Sequence, residues 1–316
     1  MPPSDTERTA ARLQRLAERY VPGSGIARID ALGSGLTNRS YRVGRNGQLF
    51  SLRIAAPRGR ELGLDRGWEC RVLRCVAGAN LAPAVECCQP RAGVLVTRWA
   101  EGTSWTVEEA SSPGNIRKVA LLVRRVHTLP PLDRPRSVSP KQWIDYYRRA
   151  LHRRGGGKAF EGRHRPRGGL GGMAQSLIEV LSEEPSASPA LCHSDLHVQN
   201  LLIAPGGAPV ILDWEYAHIS DPWWDLAGWA CNGDLTAERG ELLLRHYLDR
   251  EPTPAQAGRL RRLAWLYDYV CLLWSELYLS SRSDGGEAGR DAPRDAPRDA
   301  VSARAERLAD RLPHNR

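Results

Sequence analysis

Residues 193–200 read His-Ser-Asp-Leu-His-Val-Gln-Asn, and residues 211–215 read Ile-Leu-Asp-Trp-Glu. Together they hold Asp195, Asn200, Asp213 and Glu215, side chains suited to handling a phosphoryl group. Phosphoryl transfer asks a protein to align an acceptor hydroxyl, hold metal ions against the phosphates and neutralise charge as it develops. A carboxylate and an amide five residues apart on one tight loop meet the first two needs. Asp195 is expected to face the acceptor hydroxyl as the catalytic base, with Asn200 turned back to a metal ion. Val210–Leu212 reads as a short apolar strand, so Asp213 stands at its end as the main magnesium ligand. Glu215, two residues on, is assigned to a second metal or to the acceptor.

Toward the N-terminus, Ile26–Leu32, Ser40–Val43 and Gln48–Ile54 read as short strands. The last is opened by the turn dipeptide Asn46-Gly47. A helix is expected over 65–77, with Trp68, Val72, Leu73 and Val76 on one face and Glu69 turned with the polar face. Strands at 84–87 and 94–98 complete a sheet-plus-helix unit, and a linker at 99–103 offers Gly102 as a hinge. The remainder reads as mostly helical. Ile116–Val126 is amphipathic, 153–172 is a Gly/Arg-rich stretch expected to be a mobile loop, and helices run from about 225 to 280. Residues 290–300 repeat Arg-Asp-Ala-Pro and bury nothing, so 283–316 reads as a disordered tail with at most a short amphipathic helix before its end. The expected organisation is therefore 1–98, 99–282 and the tail 283–316.

A chain of 316 residues with 41% hydrophobic and 26% charged residues has ample material for a core. Its net charge of +9 comes almost wholly from Arg, with Lys only at 118, 141 and 158. No zinc-finger spacing, RNP-like run or basic recognition helix accompanies it, which excludes nucleic acid as the expected partner and leaves attraction for small anions. Seven cysteines, with no CxxC spacing, point to a reducing compartment. The N-terminal stretch lacks an apolar signal core, and Asp268 interrupts the best apolar run, Leu263–Leu273. A cytoplasmic protein without a membrane segment is expected.

The order HxDxxxxN, apolar strand, Asp resembles the catalytic apparatus of the protein-kinase-like superfamily. The string DWEYA with DPWWDLA at 221–227 resembles its small-molecule branch, the choline/ethanolamine kinases, thiamine kinases and aminoglycoside phosphotransferases. The resemblance runs from about Leu32 to Leu279. It implies an α+β, bilobal fold: a small N-terminal sheet lobe, a larger mainly helical C-terminal lobe, ATP between them and Mg2+ as cofactor. Within it, LGSGLTNRSYRV at 32–43 looks like the phosphate loop, with Gly33, Ser34, Gly35 and Asn38 as nucleotide-binding positions, although only two of the three glycines of GxGxxG are present. Arg53 stands where protein kinases carry their phosphate-binding Lys, and Glu69 is its expected carboxylate partner. His193 is expected to brace the metal-binding strand, and His127 to be structural.

Two departures from protein kinases narrow the acceptor. Ser194 precedes Asp195 where regulated protein kinases place Arg, and 213–225 is too short for an activation segment. A small alcohol is therefore expected in place of a peptide. Asp225, Trp229, Asp268 and Trp274 are candidate acceptor-binding residues, because aromatic faces beside a carboxylate suit a cation such as choline, ethanolamine or thiamine. The plain alternative is that these aromatics at helical spacing are core. An aminoglycoside-type acceptor is the second reading, weakened by the Arg-rich distal half. A nucleotide-binding pseudokinase is the rival from another class, and the intact acids and amide speak against it.

Overall fold

The computed structural model describes residues 5–154, 169–184, 187–280 and 296–313. Two compact units emerge. One gathers Met1–Glu101 with Val210–Glu215; the other gathers Gly102–Pro209, Tyr216–Arg282 and the C-terminal residues from Arg298. The first division thus falls after Glu101, not after Arg98, and the Asp213 strand-end clusters with the N-terminal residues.

The first unit is built on an antiparallel sheet in the order β1-β2-β3-β5-β4. Its strands are β1 (Arg28–Ser34), β2 (Asn38–Arg45), β3 (Gln48–Ala55), β4 (Val85–Gln89) and β5 (Val94–Arg98). Asn46 and Gly47 turn β2 into β3 with φ of 54° and 73°, which is the geometry a two-residue hairpin needs and the reason for that dipeptide. Val43, Phe50, Leu52, Val94 and Val96 alternate onto one face and bury Ala17 of α1 (Asp5–Tyr20) and Val21 just after it. Arg45 reaches across to the carbonyls at the end of that helix, donating from Nη1 to Ala17 O at 3.0 Å and Val21 O at 2.7 Å. The segment from 210 is anchored through the Ile211 amide, which donates to Leu81 O at 2.8 Å.

Helix α2 (Arg66–Gly78) is capped by Asp65, whose side chain accepts from the Trp68 amide at 2.9 Å. It buries Trp68, Val72, Leu73 and Val76, and Glu69 with them. Cys70 on this helix is joined to Cys88 on β4 as a disulfide, with Cα atoms 6.0 Å apart, while the other five cysteines are free. An odd total rules out pairing of every thiol, not of one pair, so the cysteine count from which a reducing compartment was expected does not exclude this bridge.

The second unit is mainly helical. Its helices include α3 (Val107–Ala110), α4 (Pro113–His127), α5 (Pro140–Arg153), α6 (Leu170–Glu183), α7 (Trp223–Asn232), α8 (Ala237–Leu248) and α9 (Pro254–Ser280). α9 packs against α5 and α7, and α4 against α8. Gly228 lets α7 and α9 approach closely: a Cβ there would lie 2.8 Å from the Tyr267 ring. β6 (Ala190–Cys192) pairs antiparallel with β9 (His218–Ser220) beneath the loop at 193–200. β7 (Leu201–Ile203) follows that loop, and β8 (Pro209–Ile211) leads to Asp213. Gly102 lies close against the second unit's β7, where a Cβ would meet Ile203 O at 2.7 Å, and Thr103 bridges to Ile203. The expected loop over 153–172 is shortened from its C-terminal end, where α6 begins at Leu170; residues 155–168 lie outside the described residues.

The reading of 283–316 as a tail that buries nothing is corrected. Residues 283–295 lie outside the described residues, but Ala296–Arg311 forms a further helix, α10. Val301, Ala305, Leu308 and Leu312 are buried along one stripe of it and at its end. The repeat hid this because proline and charge dominate its composition, yet Pro297 falls in the first turn, where a missing N–H costs nothing. Trp265 donates from Nε1 to Leu312 O at 2.9 Å, and Arg311 Nη2 meets Asp268 Oδ1 at 2.6 Å.

Candidate active site

In the first unit, Arg53 projects from β3 on the side opposite Phe50 and Leu52. Its Nη2 pairs with Glu69, and its Nη1 lies 2.6 Å from Asp213 Oδ1. Arg66, in the first turn of α2, donates from Nη1 to Glu69 Oε2 at 2.9 Å and to Glu215 Oε2 at 2.8 Å, and from Nη2 to Asn38 Oδ1 at 2.8 Å. Glu215 also accepts from Thr37 Oγ1 at 2.6 Å and from Asn38 Nδ2 at 2.7 Å. Two guanidinium groups thus face three carboxylates. Burial alone would lower the Arg53 pKa; Glu69, Asp213 and Glu215 more than offset it and raise it. Burial likewise pushes the Glu215 carboxyl up, but Arg53, Arg66 and the bonds from Thr37 and Asn38 hold it below its ordinary value.

Of the three acids, Glu69 and Glu215 have side chains only 3% and 4% exposed, whereas Asp213 is 37% exposed. Asp213 is therefore the carboxylate able to take an outside ligand. It also adopts a left-handed backbone, φ 56°, at the end of its strand. The structure moves Glu215 and Asn38 from ligand-facing roles into this buried network, and it turns Glu69 inward, off the polar face expected for it. Arg66 and Thr37 escaped sequence reading. The spacing of Arg66 three residues before Glu69 on one helix was the available signal.

In the second unit, the loop at 193–200 is clamped from behind by Asp225. Its carboxylate accepts from the His193 amide at 2.8 Å, the Ser194 amide at 2.7 Å and His127 Nε2 at 3.1 Å. Burial pushes Asp225 up, but His127, His193 and the Ser194 amide outweigh it and hold the carboxyl below its usual value. With this clamp, Ser194 is held at φ 69°, a conformation a non-glycine residue rarely takes without surrounding support. Asp195 follows on the crest of the turn, its side chain 30% exposed. The His193 imidazole accepts the Asp195 amide at 3.2 Å through Nδ1. Asn200 is buried and donates from Nδ2 to Asp195 O at 2.9 Å, which leaves its Oδ1 as the atom a cation would take. Asn232 of α7 holds the next carbonyl, donating to Leu196 O at 3.1 Å.

Two histidines, His197 within this loop and His218 beneath it, are neutral at pH 7. Burial, then His193 and Arg304, lowers the His197 pKa to about 4, so its 3.9 Å approach to Asp195 is not an ion pair at neutral pH. Its Nδ1 caps the following turn instead, accepting the Gln199 amide at 3.3 Å. His218 is likewise lowered to about 4, chiefly by burial.

The four acceptor residues expected on this side fare differently. Asp225 is spent on the loop and His127. Trp229 is 2% exposed, part of the core between helices. Asp268 faces Arg311, and burial pushes its carboxyl up despite that partner. Trp274 alone keeps partial exposure, stacked on Tyr278 with centroids 5.4 Å apart and bonded through Nε1 to the Tyr216 hydroxyl at 2.6 Å.

Residues 28–270 match the family described as "Phosphotransferase enzyme family". The chain belongs to this family. No curated protein matches the sequence. Among solved structures, this phosphotransferase is similar to a choline/ethanolamine kinase family protein from Mesorhizobium loti, with 25% identity, 98% of each chain covered and a TM-score of 0.68. It is similar in fold to the choline kinase LicA of Streptococcus pneumoniae, with 20% identity, 96% of this chain and 99% of that one covered and a TM-score of 0.71. The same holds for the spectinomycin phosphotransferase APH(9)-Ia, with 12% identity, 97% and 98% coverage and a TM-score of 0.62. The α+β, kinase-like fold expected from the sequence is thus that of the family. Among the described residues no helix of the phosphotransferase is long and apolar enough to cross a membrane.

Proposed function

We propose that this phosphotransferase transfers the γ-phosphate of ATP to the hydroxyl of a small molecule. The observation that carries the reading is Asp195, partly exposed on a loop whose backbone is fixed by Asp225, His193 and Asn200. A carboxylate held that firmly can accept the acceptor's proton without reorganising. Asp213 in the first unit and the Asn200 carbonyl in the second are each a hard oxygen of the kind magnesium takes, which supports them as its ligands. Bound there, Mg2+ would neutralise phosphate charge. In this proposal Arg53 turns from Asp213 toward phosphate oxygens when nucleotide and metal arrive, while Glu69 keeps its other amine in place. Gly33 and Gly35, at the end of β1 and just past it, would bring bare backbone to the phosphates.

For the acceptor, Trp274 stacked on Tyr278 is the surface that supports choline, ethanolamine or thiamine, through the attraction of an aromatic face for a cation. The carboxylates such a cation would also want, Asp225 and Asp268, are committed within the fold. An aminoglycoside, with several positive charges, would need more acid still. Intact Asp195, Asn200 and Asp213 support catalysis over a nucleotide-binding scaffold. A cytoplasmic setting accords with the ATP requirement.

The test is a screen of the full chain with labelled ATP against choline, ethanolamine, thiamine and aminoglycosides, repeated with Asp195→Asn. The variant should keep nucleotide affinity and lose about 100-fold or more in kcat on any accepted alcohol. Near-parental kcat in Asp195→Asn would remove Asp195 from the chemistry.

A further inference from the structure

The backbone around Asp195 is held on both sides. Asp225 takes the two amides before it, and Asn232 of α7 takes the carbonyl of the residue after it. The Asn232 amide group is tied at three points, all within the second unit. Its Nδ2 donates to Leu196 O at 3.1 Å and to the Tyr267 hydroxyl at 3.1 Å. Its Oδ1 accepts from Arg304 Nη2 at 3.2 Å, and that nitrogen also lies 3.4 Å from Cys271 Sγ.

These partners decide which way the amide points. An asparagine amide turned end for end keeps its shape while its oxygen and its NH2 change places. The Tyr267 hydroxyl accepts either orientation, because it can donate or receive a hydrogen bond. A guanidinium carries donors only and does not lose its charge in a protein. Arg304 therefore takes the amide oxygen and Leu196 O takes the NH2, and only one orientation satisfies both. Leu196 O supplies the half of this lock that belongs to the catalytic loop, and Arg304 supplies the half that lies outside it.

Arg304 reaches Asn232 across 72 residues of chain. Its position is set by α10, where Val301, Ala305 and Leu308 are buried on the same helix. The helix end is pinned by Trp265 on Leu312 O and by Arg311 on Asp268. Arg304 is itself only partly exposed, which suits a side chain that braces a neighbour.

We propose that Arg304 is a positioning residue for phosphoryl transfer: through Asn232 it fixes the backbone just after Asp195, and so the direction of that carboxylate. This rests on the phosphotransferase reading with Asp195 as base, and it leaves the acceptor of that reading as it stands.

The test uses the full chain with ATP and magnesium, and follows ADP release with choline, ethanolamine, thiamine and an aminoglycoside. Arg304→Met keeps an unbranched apolar side chain and removes every donor. It should lower kcat about tenfold and change nucleotide affinity by less than about twofold, because the base is misdirected while the phosphate contacts stay. Arg304→Lys, which keeps a donating cation, should lower kcat less, about threefold. The double variant of Arg304→Met with Asn232→Ala should be no slower than Asn232→Ala alone, since one residue acts through the other. Amide hydrogen exchange over 194–200 should quicken in Arg304→Met. A merely structural Arg304 would lower the melting temperature, leave kcat of the folded variant parental and combine with Asn232→Ala by multiplication. Parental kcat in Arg304→Met, or losses that multiply in the double variant, would overturn the proposal. If Arg304→Met does not fold, Arg304→Lys decides by the same split, and its parental kcat would overturn the proposal. Parental kcat and parental exchange in Arg304→Met, with ADP release intact, refute Arg304 while upholding phosphotransfer. No ADP release by the parent with any acceptor, beside faster exchange over 194–200 in Arg304→Met, refutes phosphotransfer while upholding the hold of Arg304 on the loop.

Discussion

Replacing Asp225 by Asn removes a charge while keeping the shape, and the geometry sets the cost. Oδ1 accepts the Ser194 amide, and Oδ2 accepts both the His193 amide and His127. An asparagine has one oxygen for these donors and must turn its NH2 toward at least one N–H. The better orientation keeps the oxygen on His193 and His127 and leaves the part-buried Ser194 amide facing a donor. Losing a hydrogen bond to a charged group costs about 1.5–3 kcal/mol. The melting temperature should therefore fall by roughly 5 °C. Asp225→Ala, which strands His127 as well, should cost about 3–5 kcal/mol. Because the Ser194 amide holds the left-handed turn before Asp195, Asp225→Asn should also lower kcat, by roughly tenfold to a hundredfold, with nucleotide affinity little changed. The pH dependence has a definite sign. A carboxyl whose folded pKa lies below its unfolded value of about 3.9 contributes stability that is complete above that value and is lost as pH falls through the folded pKa. The variant should lack that part of the acid limb. Thermal melts from pH 3 to 8 beside ADP-release kinetics measure both effects. A variant melting with the parent at every pH, with parental kcat, would refute the clamp.

Asp213→Ala should abolish magnesium-dependent nucleotide binding, because Asp213 is the one acid of its cluster open to an outside ligand; calorimetry with and without magnesium checks it, and equal magnesium-dependent affinity would move the metal elsewhere. Ending the chain at residue 295 should lower the melting temperature by roughly 5–10 °C, since Val301, Leu308 and Leu312 leave the core and Asp268 loses Arg311; an unchanged melt would mean that α10 does not dock. Trp274→Ala should weaken binding of a cationic alcohol a few-fold to about thirtyfold if the aromatic surface holds the acceptor, and should leave every acceptor KM unchanged if the ring serves only Tyr216 and Tyr278.

What the sequence by itself determined were features written in a few adjacent residues. The Asn46-Gly47 hairpin, the face of α2 and the order Asp195, Asn200, Asp213 depend on local backbone preference, on periodicity and on the chemistry of one loop. The family was legible for the same reason. Tertiary structure alone decided which charges remain available. Arg66 neutralises Glu215 across 149 residues of chain, Arg311 reaches Asp268 across 43 and Arg304 reaches Asn232 across 72. Glu69 changed from a polar-face residue to a buried one, and the repeat-bearing C-terminus became a docked helix whose Arg304 meets Asn232 and whose Arg311 meets Asp268. A carboxylate's usefulness depends on its partner in space, and ion pairs closed through folding leave no periodicity or spacing from which to read them.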